Sequence, residues 1–237
     1  MTTLRRNDRG EAVKNLQSRL GLYPDGIFGP LTEEAVRDFQ RRHNLTIDGV
    51  CGKQTWKKLL SAQPERIDDF NIVVEGLKKS RRSITEIYVH CTATPEGQDT
   101  TVEQLRAEHI KNRGFSDIGY HYVVYRDGSV HVGRDVDYSG AHVKGHNPHS
   151  IGVAYVGGLE YKKGVPYKNL KAKDTRNVPQ KNSLELLLRK LRLLYPHAKI
   201  LGHRDASPDL NNNGYIEPSE WIKECPSFDA SWEYRNI

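Results

Sequence analysis

The eight residues Ile87-Tyr88-Val89-His90-Cys91-Thr92-Ala93-Thr94 decide how the larger part of this chain is read. Apolar side chains recur there with the two-residue period of a strand, and successive side chains on a strand leave on opposite faces. Ile87, Val89 and Cys91 therefore share an apolar face, which makes Cys91 a packing residue. His90 leaves on the other face near the strand end, where solvent or a metal can meet it. Outward from this strand the pattern alternates. A helix is expected from about Thr101 to Asn112, a hairpin from Tyr120–Tyr125 to Val130–Val132 turned by Asp127-Gly128, and a strand at Ile151–Val156. A Leu-rich helix from about Pro179 to Tyr195 and a strand at Lys199–Gly202 follow. Residues 83–237 thus predict an α/β domain built on a mixed sheet.

The N-terminal part obeys a different rule. Asp25-Gly26-Ile27-Phe28-Gly29-Pro30-Leu31-Thr32 recurs as Asp48-Gly49-Val50-Cys51-Gly52-Lys53-Gln54-Thr55, 23 residues on. In each copy Asp-Gly makes a tight turn that launches a helix, and Pro30 suits the first helical position, where no N–H is needed. Apolar spacing gives three amphipathic helices marked by Val13, Leu16 and Leu20, by Leu31, Ala35 and Phe39, and by Trp56, Leu59 and Leu60. Residues 1–60 read as a small three-helix bundle. Between the two parts, residues 61–82 read as a linker, partly helical through the stripe Ile67, Phe70, Val74 and Leu77 before the basic run Lys78–Arg82.

Composition removes several classes of function. The formal charge is +6, and residues 1–60 hold 11 Lys and Arg against 7 Asp and Glu, leaving 25 against 23 elsewhere. That surplus suits a polyanion such as a cell-wall polymer, but no basic-aromatic motif accompanies it, so nucleic acid is not expected as a partner. No apolar run approaches the ~18 residues that span a bilayer, because charges interrupt Leu184–Leu194. The first residues, Met1–Asp8, run into charge where an export signal needs ~7–15 apolar residues, which predicts synthesis in the cytoplasm. Three widely spaced cysteines, Cys51, Cys91 and Cys225, argue against a disulfide framework.

The candidates for chemistry are scattered. His203 follows a short apolar strand, as His90 ends one, and strand ends are where α/β sheets gather their sites. Cys225 could add a thiolate to those two imidazoles, three ligands with a fourth position open. Spacing alone carries this no further, since nothing has the compact signature of a zinc finger or a His-Glu-x-x-His helix. Many separated motifs nevertheless keep one order: Val89-His90-Cys91-Thr92, Gly119-Tyr120-His121, Arg126-Asp127-Gly128, Gly133-Arg134-Asp135, Ala141-His142-x-Lys144-Gly145-x-Asn147, Ser150-Ile151-Gly152-Val153, Gly202-His203-Arg204-Asp205 and Cys225-Pro226-x-Phe228-Asp229.

In that order they resemble the zinc N-acetylmuramoyl-L-alanine amidases of the phage-lysozyme and peptidoglycan-recognition-protein type. Residues 4–60, with Arg9-Gly10, Val13, Leu16-Gln17, the two Asp-Gly turns and Ala35-Val36-x-x-Phe39-Gln40, resemble the peptidoglycan-binding domain found beside many wall hydrolases. The resemblance implies that His90, His203 and Cys225 bind zinc and that Tyr120 and Lys223 match the family's catalytic tyrosine and lysine. It also suggests that His142 and Asn147 line the substrate groove. The implied function is hydrolysis of the amide between N-acetylmuramic acid and L-alanine in peptidoglycan, by an endolysin that meets the wall after release. A non-catalytic recognition protein and a cytoplasmic wall-recycling amidase are the alternatives, and oligomeric state is left open.

One stretch stands outside the resemblance to the short phage lysozymes. Asp209-Leu210-Asn211-Asn212-Asn213-Gly214-Tyr215-Ile216-Glu217-Pro218-Ser219-Glu220 fits the EF-hand loop pattern D-x-[DN]-x-[DN]-G-x5-E. It makes Asp209, Asn211, Asn213, the Tyr215 carbonyl, Glu217 and Glu220 candidate calcium ligands, with a short helix expected from Pro218 through Trp221 to Lys223.

Overall fold

The computed structural model describes residues 2–22, 24–61 and 76–237, and the chain divides into two compact units, Met1–Asn71 and Ile72–Ile237. Ile67, Phe70 and Val74 of the expected linker stripe lie outside the described residues.

In the first unit, α1 (Glu11–Arg19), α2 (Pro30–Arg42) and α3 (Lys53–Ser61) surround a core of Leu4, Val13, Leu16, Leu20, Leu22, Phe28, Val36, Phe39, Trp56 and Leu59. Pro30 opens α2 as the missing N–H predicts. The 23-residue repeat has a physical cause. Buried Gln17 accepts from the Gly26 N–H at 2.9 Å and donates its amide to Asp25 Oδ1 (2.6 Å), the Ile27 carbonyl (3.0 Å) and Thr32 Oγ1 (3.1 Å). Gln40 makes the same set: it accepts from the Gly49 N–H at 2.9 Å and donates to Asp48 Oδ1 (2.7 Å), the Val50 carbonyl (3.0 Å) and Thr55 Oγ1 (3.2 Å). Each glutamine pins a turn to the helix before it and the helix after it. Gly26 (φ 76°) and Gly49 (φ 73°) supply the left-handed backbone these turns need.

The second unit holds a five-stranded mixed sheet. Its strands are β1 (Glu86–Cys91), β3 (Tyr122–Val124), β4 (Val130–Val132), β5 (Ser150–Tyr155) and β7 (Lys199–Gly202), ordered β4-β3-β5-β1-β7. β1 runs parallel to β5 and β7, β3 parallel to β5, and only the β3–β4 hairpin is antiparallel. A second, two-stranded sheet joins β2 (Thr94–Pro95) to β6 (Gly158–Leu159). Of its helices, α4 (Val102–Arg113) begins with a reciprocal cap between Thr101 and Gln104 and ends on Gly114 in the left-handed conformation. α5 (Val178–Leu194) presses Leu184, Leu187, Leu188 and Leu191 onto one face of the sheet, against Ile87, Val89, Ile151 and Val153. The short α6 (Ala230–Glu233) closes the chain end, with Arg176 stacked on Phe228 and paired to Asp174 and Glu233.

The basic run read as linker belongs to this unit. Leu77 packs on the core, buried Ser80 bonds through its N–H to Tyr195 Oη (2.7 Å) and through Oγ to the Val136 carbonyl (2.7 Å), and Arg82 donates to the Val136 and Asn147 carbonyls. Charge made the segment look like a solvated joint, whereas its backbone amides are taken by the Tyr195 hydroxyl, the Asp137 carboxylate and Ser80 Oγ, and the Arg82 guanidinium by loop carbonyls.

Candidate metal centre and active site

β1 separates its two neighbours as alternation requires. Cys91 is 6% exposed within the α5-facing core, and His90, 1% exposed, projects from the opposite face. That face is not open to solvent, because His142 and Tyr120 lie against His90, with ring centroids 5.1 and 5.2 Å away.

β7 ends at Gly202, and the 3₁₀ turn His203–Ala206 brings the His203 ring to 4.9 Å from that of His90. Cys225 arrives from the far end of the chain. The Arg204 N–H donates to its carbonyl (2.9 Å), Tyr155 Oη donates to the Pro226 carbonyl (2.8 Å), and the Cys91 N–H donates to its Sγ (3.3 Å). Its Sγ lies 3.6 Å from His90 Nδ1, and one ligand atom from each of His90, His203 and Cys225 falls within 4.8 Å of the others. Among the described residues this is the one group of three or more His, Cys, Asp or Glu to converge so.

The electrostatics suit a cation. Burial, reinforced by the charges of His142, His203 and Lys223, holds the His90 imidazole neutral far below its ordinary range. His203 is pushed down to about 4 by burial and then by Lys223. Burial raises the Cys225 thiol, so a thiolate there needs a positive charge beside it. Two neutral imidazoles and a sulfur held by a backbone N–H are a donor set that fits zinc.

Tyr120 precedes β3. Its carbonyl accepts from the Arg134 N–H (2.9 Å), and its ring rests on His109 at 5.5 Å, which in turn accepts from the Gly119 N–H (3.0 Å). Burial raises the Tyr120 phenol, so it stays a donor at neutral pH. Lys223 is exposed, close enough for its charge to depress both histidines. The helix expected to deliver it is shorter than predicted. A 3₁₀ turn covers Pro218–Glu220, and Trp221 is extended, because the Ile222 N–H is taken by Ser207 Oγ (3.0 Å) and Arg204 stacks on the Trp221 ring at 4.3 Å.

His142 and Asn147, read as groove residues, sit differently. His142 is 7% exposed and lies behind His90, its Nδ1 3.1 Å from His90 Nε2. Asn147 Oδ1 accepts from the His142 and Val143 N–H groups (both 2.9 Å), so it shapes the turn that carries His142. Sequence reading passed over Ser150 and His121, both buried and both against the His142 ring; Gly152 inside a buried strand was the available signal, since such a glycine marks a close approach.

In the candidate calcium loop, Asp209 accepts from the Asn213 (3.2 Å) and Gly214 (2.8 Å) N–H groups, and Glu217 accepts from both the Asn211 and Asn213 side-chain amides (3.3 Å each). The buried Glu220 carboxylate accepts from the Leu210, Asn211 and Glu217 N–H groups at 2.8, 3.2 and 2.8 Å. Tyr215 is exposed.

The sequence pattern of the N-acetylmuramoyl-L-alanine amidases matches residues 80–219, and that of the peptidoglycan-binding domains matches residues 9–59. The chain belongs to the N-acetylmuramoyl-L-alanine amidase family. It is 39% identical to the endolysin of Enterobacteria phage K11 over 149 residues, 63% of this chain and 84% of that one. With the endolysin of Escherichia phage T7 it shares 37% over 162 residues, 67% and 92% of the two chains. Among solved structures, the Ph2119 endolysin from a Thermus scotoductus bacteriophage matches 63% of this chain and 80% of its own at 28% identity, with a TM-score of 0.45. The amidase is a peptidoglycan hydrolase. The family match stops at residue 219, so Cys225 is brought to the centre by geometry that the match does not cover.

Proposed function

We propose that this amidase is a zinc-dependent endolysin whose metal is held by His90 Nδ1, His203 and Cys225. The carrying observation is the convergence within 4.8 Å of donors from three distant parts of the chain, none of them exposed enough to make the cluster a surface accident. When bound, the ion supplies Lewis-acid polarisation of the scissile carbonyl and a nucleophilic water near neutral pH. The chain's own groups do the rest. Tyr120, kept protonated by burial, donates a hydrogen bond toward the developing oxyanion, and Lys223 adds a positive charge beside it. That charge matters because a thiolate ligand leaves the site less positive than a third imidazole would.

Residues 1–60 are assigned to wall binding and 83–237 to catalysis, with cytoplasmic synthesis and action on the wall after release as the setting. Among the described residues no helix is long and apolar enough to cross a membrane. Loop 209–220 is assigned to calcium on its ligand pattern. Filled ligand positions favour the enzyme over a recognition protein without catalysis.

Purified protein should contain about one zinc per chain, and His203→Ala or Cys225→Ser should lose both metal and hydrolysis while Cys91→Ala keeps the metal. Lys223→Ala should lower kcat about 10²-fold with zinc content unchanged. Full hydrolysis by a zinc-free Cys225 variant would overturn the assignment.

A further inference from the structure

His90 can serve a metal through Nδ1, the atom facing Cys225 Sγ at 3.6 Å, only if the proton sits on Nε2. What Nε2 meets is His142 Nδ1, at 3.1 Å. For that contact to be a hydrogen bond with His90 as donor, His142 Nδ1 must be bare and its own proton must lie on Nε2. His142 Nε2 faces Ser150 Oγ at 3.4 Å, and Ser150 Oγ already donates to the His146 carbonyl at 2.9 Å, so it is left to accept. The end of this line is a backbone carbonyl, which can only accept. Direction therefore propagates back from the His146 carbonyl through Ser150 and His142 to His90, and each member has one permitted role.

The surroundings of His142 are cut to its ring. A Cβ on Gly152, in the middle of β5, would lie 2.6 Å from His142 Cδ2, and one on Gly140 would lie 2.4 Å from the same atom. Neither glycine needs its residue type for backbone reasons, because neither has a positive φ. Their missing side chains are the space that the imidazole occupies. Asn147 then fixes the turn beneath, accepting from the His142 and Val143 N–H groups at 2.9 Å.

We infer that His142, oriented by Ser150 and seated in the Gly140–Gly152 slot, is a positioning residue that fixes His90 in the Nε2–H tautomer with Nδ1 turned toward Cys225 and His203. It touches neither substrate nor metal. The inference rests on the zinc reading for its consequence, though the tautomer itself is a property of the metal-free protein.

The test uses the full chain. Long-range ¹H–¹⁵N spectra of the metal-free protein should show His90 and His142 both as Nε2–H tautomers, and His90 as Nδ1–H would overturn the proposal whatever the protein does with zinc. Zinc affinity, read by competition with a chromophoric chelator, should fall about 10–100-fold in His142→Leu. His142→Asn, whose Oδ1 can replace Nδ1 as acceptor, should recover most of that loss. Gly152→Ala removes no polar atom yet takes the ring's place, and should weaken zinc as His142→Leu does. A folded His142→Leu protein with parental zinc affinity would overturn the positioning role. If His142→Leu fails to fold, the parental tautomers and the His142→Asn affinity still decide. A parental chain that binds no zinc would defeat the zinc reading and be recognised as such, the tautomer result standing apart from it.

Discussion

His121 shows how one buried side chain can set a pH limit on the fold. It is fully buried, its Nδ1 accepting from the Gly152 N–H (2.9 Å) and its Nε2 donating to the Tyr138 carbonyl (3.1 Å). Burial, and beyond it the charges of Arg82 and Arg134, outweigh the Tyr138 carbonyl and push it down to about 4. The unfolded chain takes up this proton near its ordinary value of about 6.5, well before the folded chain does. The stability that neutral His121 contributes is therefore complete above that pH and is lost as pH falls through about 4, an effect on the order of 3 kcal/mol. Urea midpoints of chelated, metal-free protein should drop between about pH 7 and about pH 4.5, and less so in His121→Asn. Equal slopes in the two proteins would return the acid sensitivity to other groups. His90 and Cys91 teach the companion lesson at this scale: alternation alone assigned them to opposite faces, but not that the His90 face is buried.

At the scale of elements, the paired glutamines of the first unit tie each Asp-Gly turn to its two helices. Gln40→Ala would leave the buried Gly49 N–H without its partner, a cost of about 1–3 kcal/mol. Hydrogen exchange on the full chain should show lower protection across residues 4–60 in that variant, and Gln17→Ala should behave alike because its bonds are the same. Unchanged protection would mean water replaces the glutamine at no cost. Loop 209–220 offers a second element-level prediction. Three carboxylates within twelve residues repel one another unless a cation joins them, so calcium at millimolar concentration should raise the Tm of the intact protein. Glu220→Ala should abolish that rise and lower the starting Tm as well, since its carboxylate closes the loop through three backbone N–H groups. Calorimetry showing no uptake would leave Glu220 as a loop brace alone.

For the whole molecule, the presence of a peptidoglycan-binding match beside an amidase match predicts a division of labour. Deleting residues 1–60 should leave cleavage of soluble muropeptides nearly intact and reduce it on insoluble sacculi, where tethering raises local concentration. Equal loss on both substrates would assign the segment to the catalytic fold. Much of the architecture was legible in the chain itself, because period and turn chemistry are local: the mixed-sheet domain, the Asp-Gly repeat, the helix from about Thr101 and the Lys199–Gly202 strand follow from neighbouring residues. His90, His203 and Cys225 could be picked out from ordered motifs, yet their convergence within 4.8 Å spans over a hundred residues of sequence and exists only because β1 lies between β5 and β7. The same holds for His142. The family resemblance suggests a groove, and only the register that sets β1 beside β5 puts the His142 ring over Gly152 and against His90. Local chemistry determined which elements form; strand order and the space left by missing side chains decided which polar groups meet, since those depend on contacts between distant segments that no single stretch encodes.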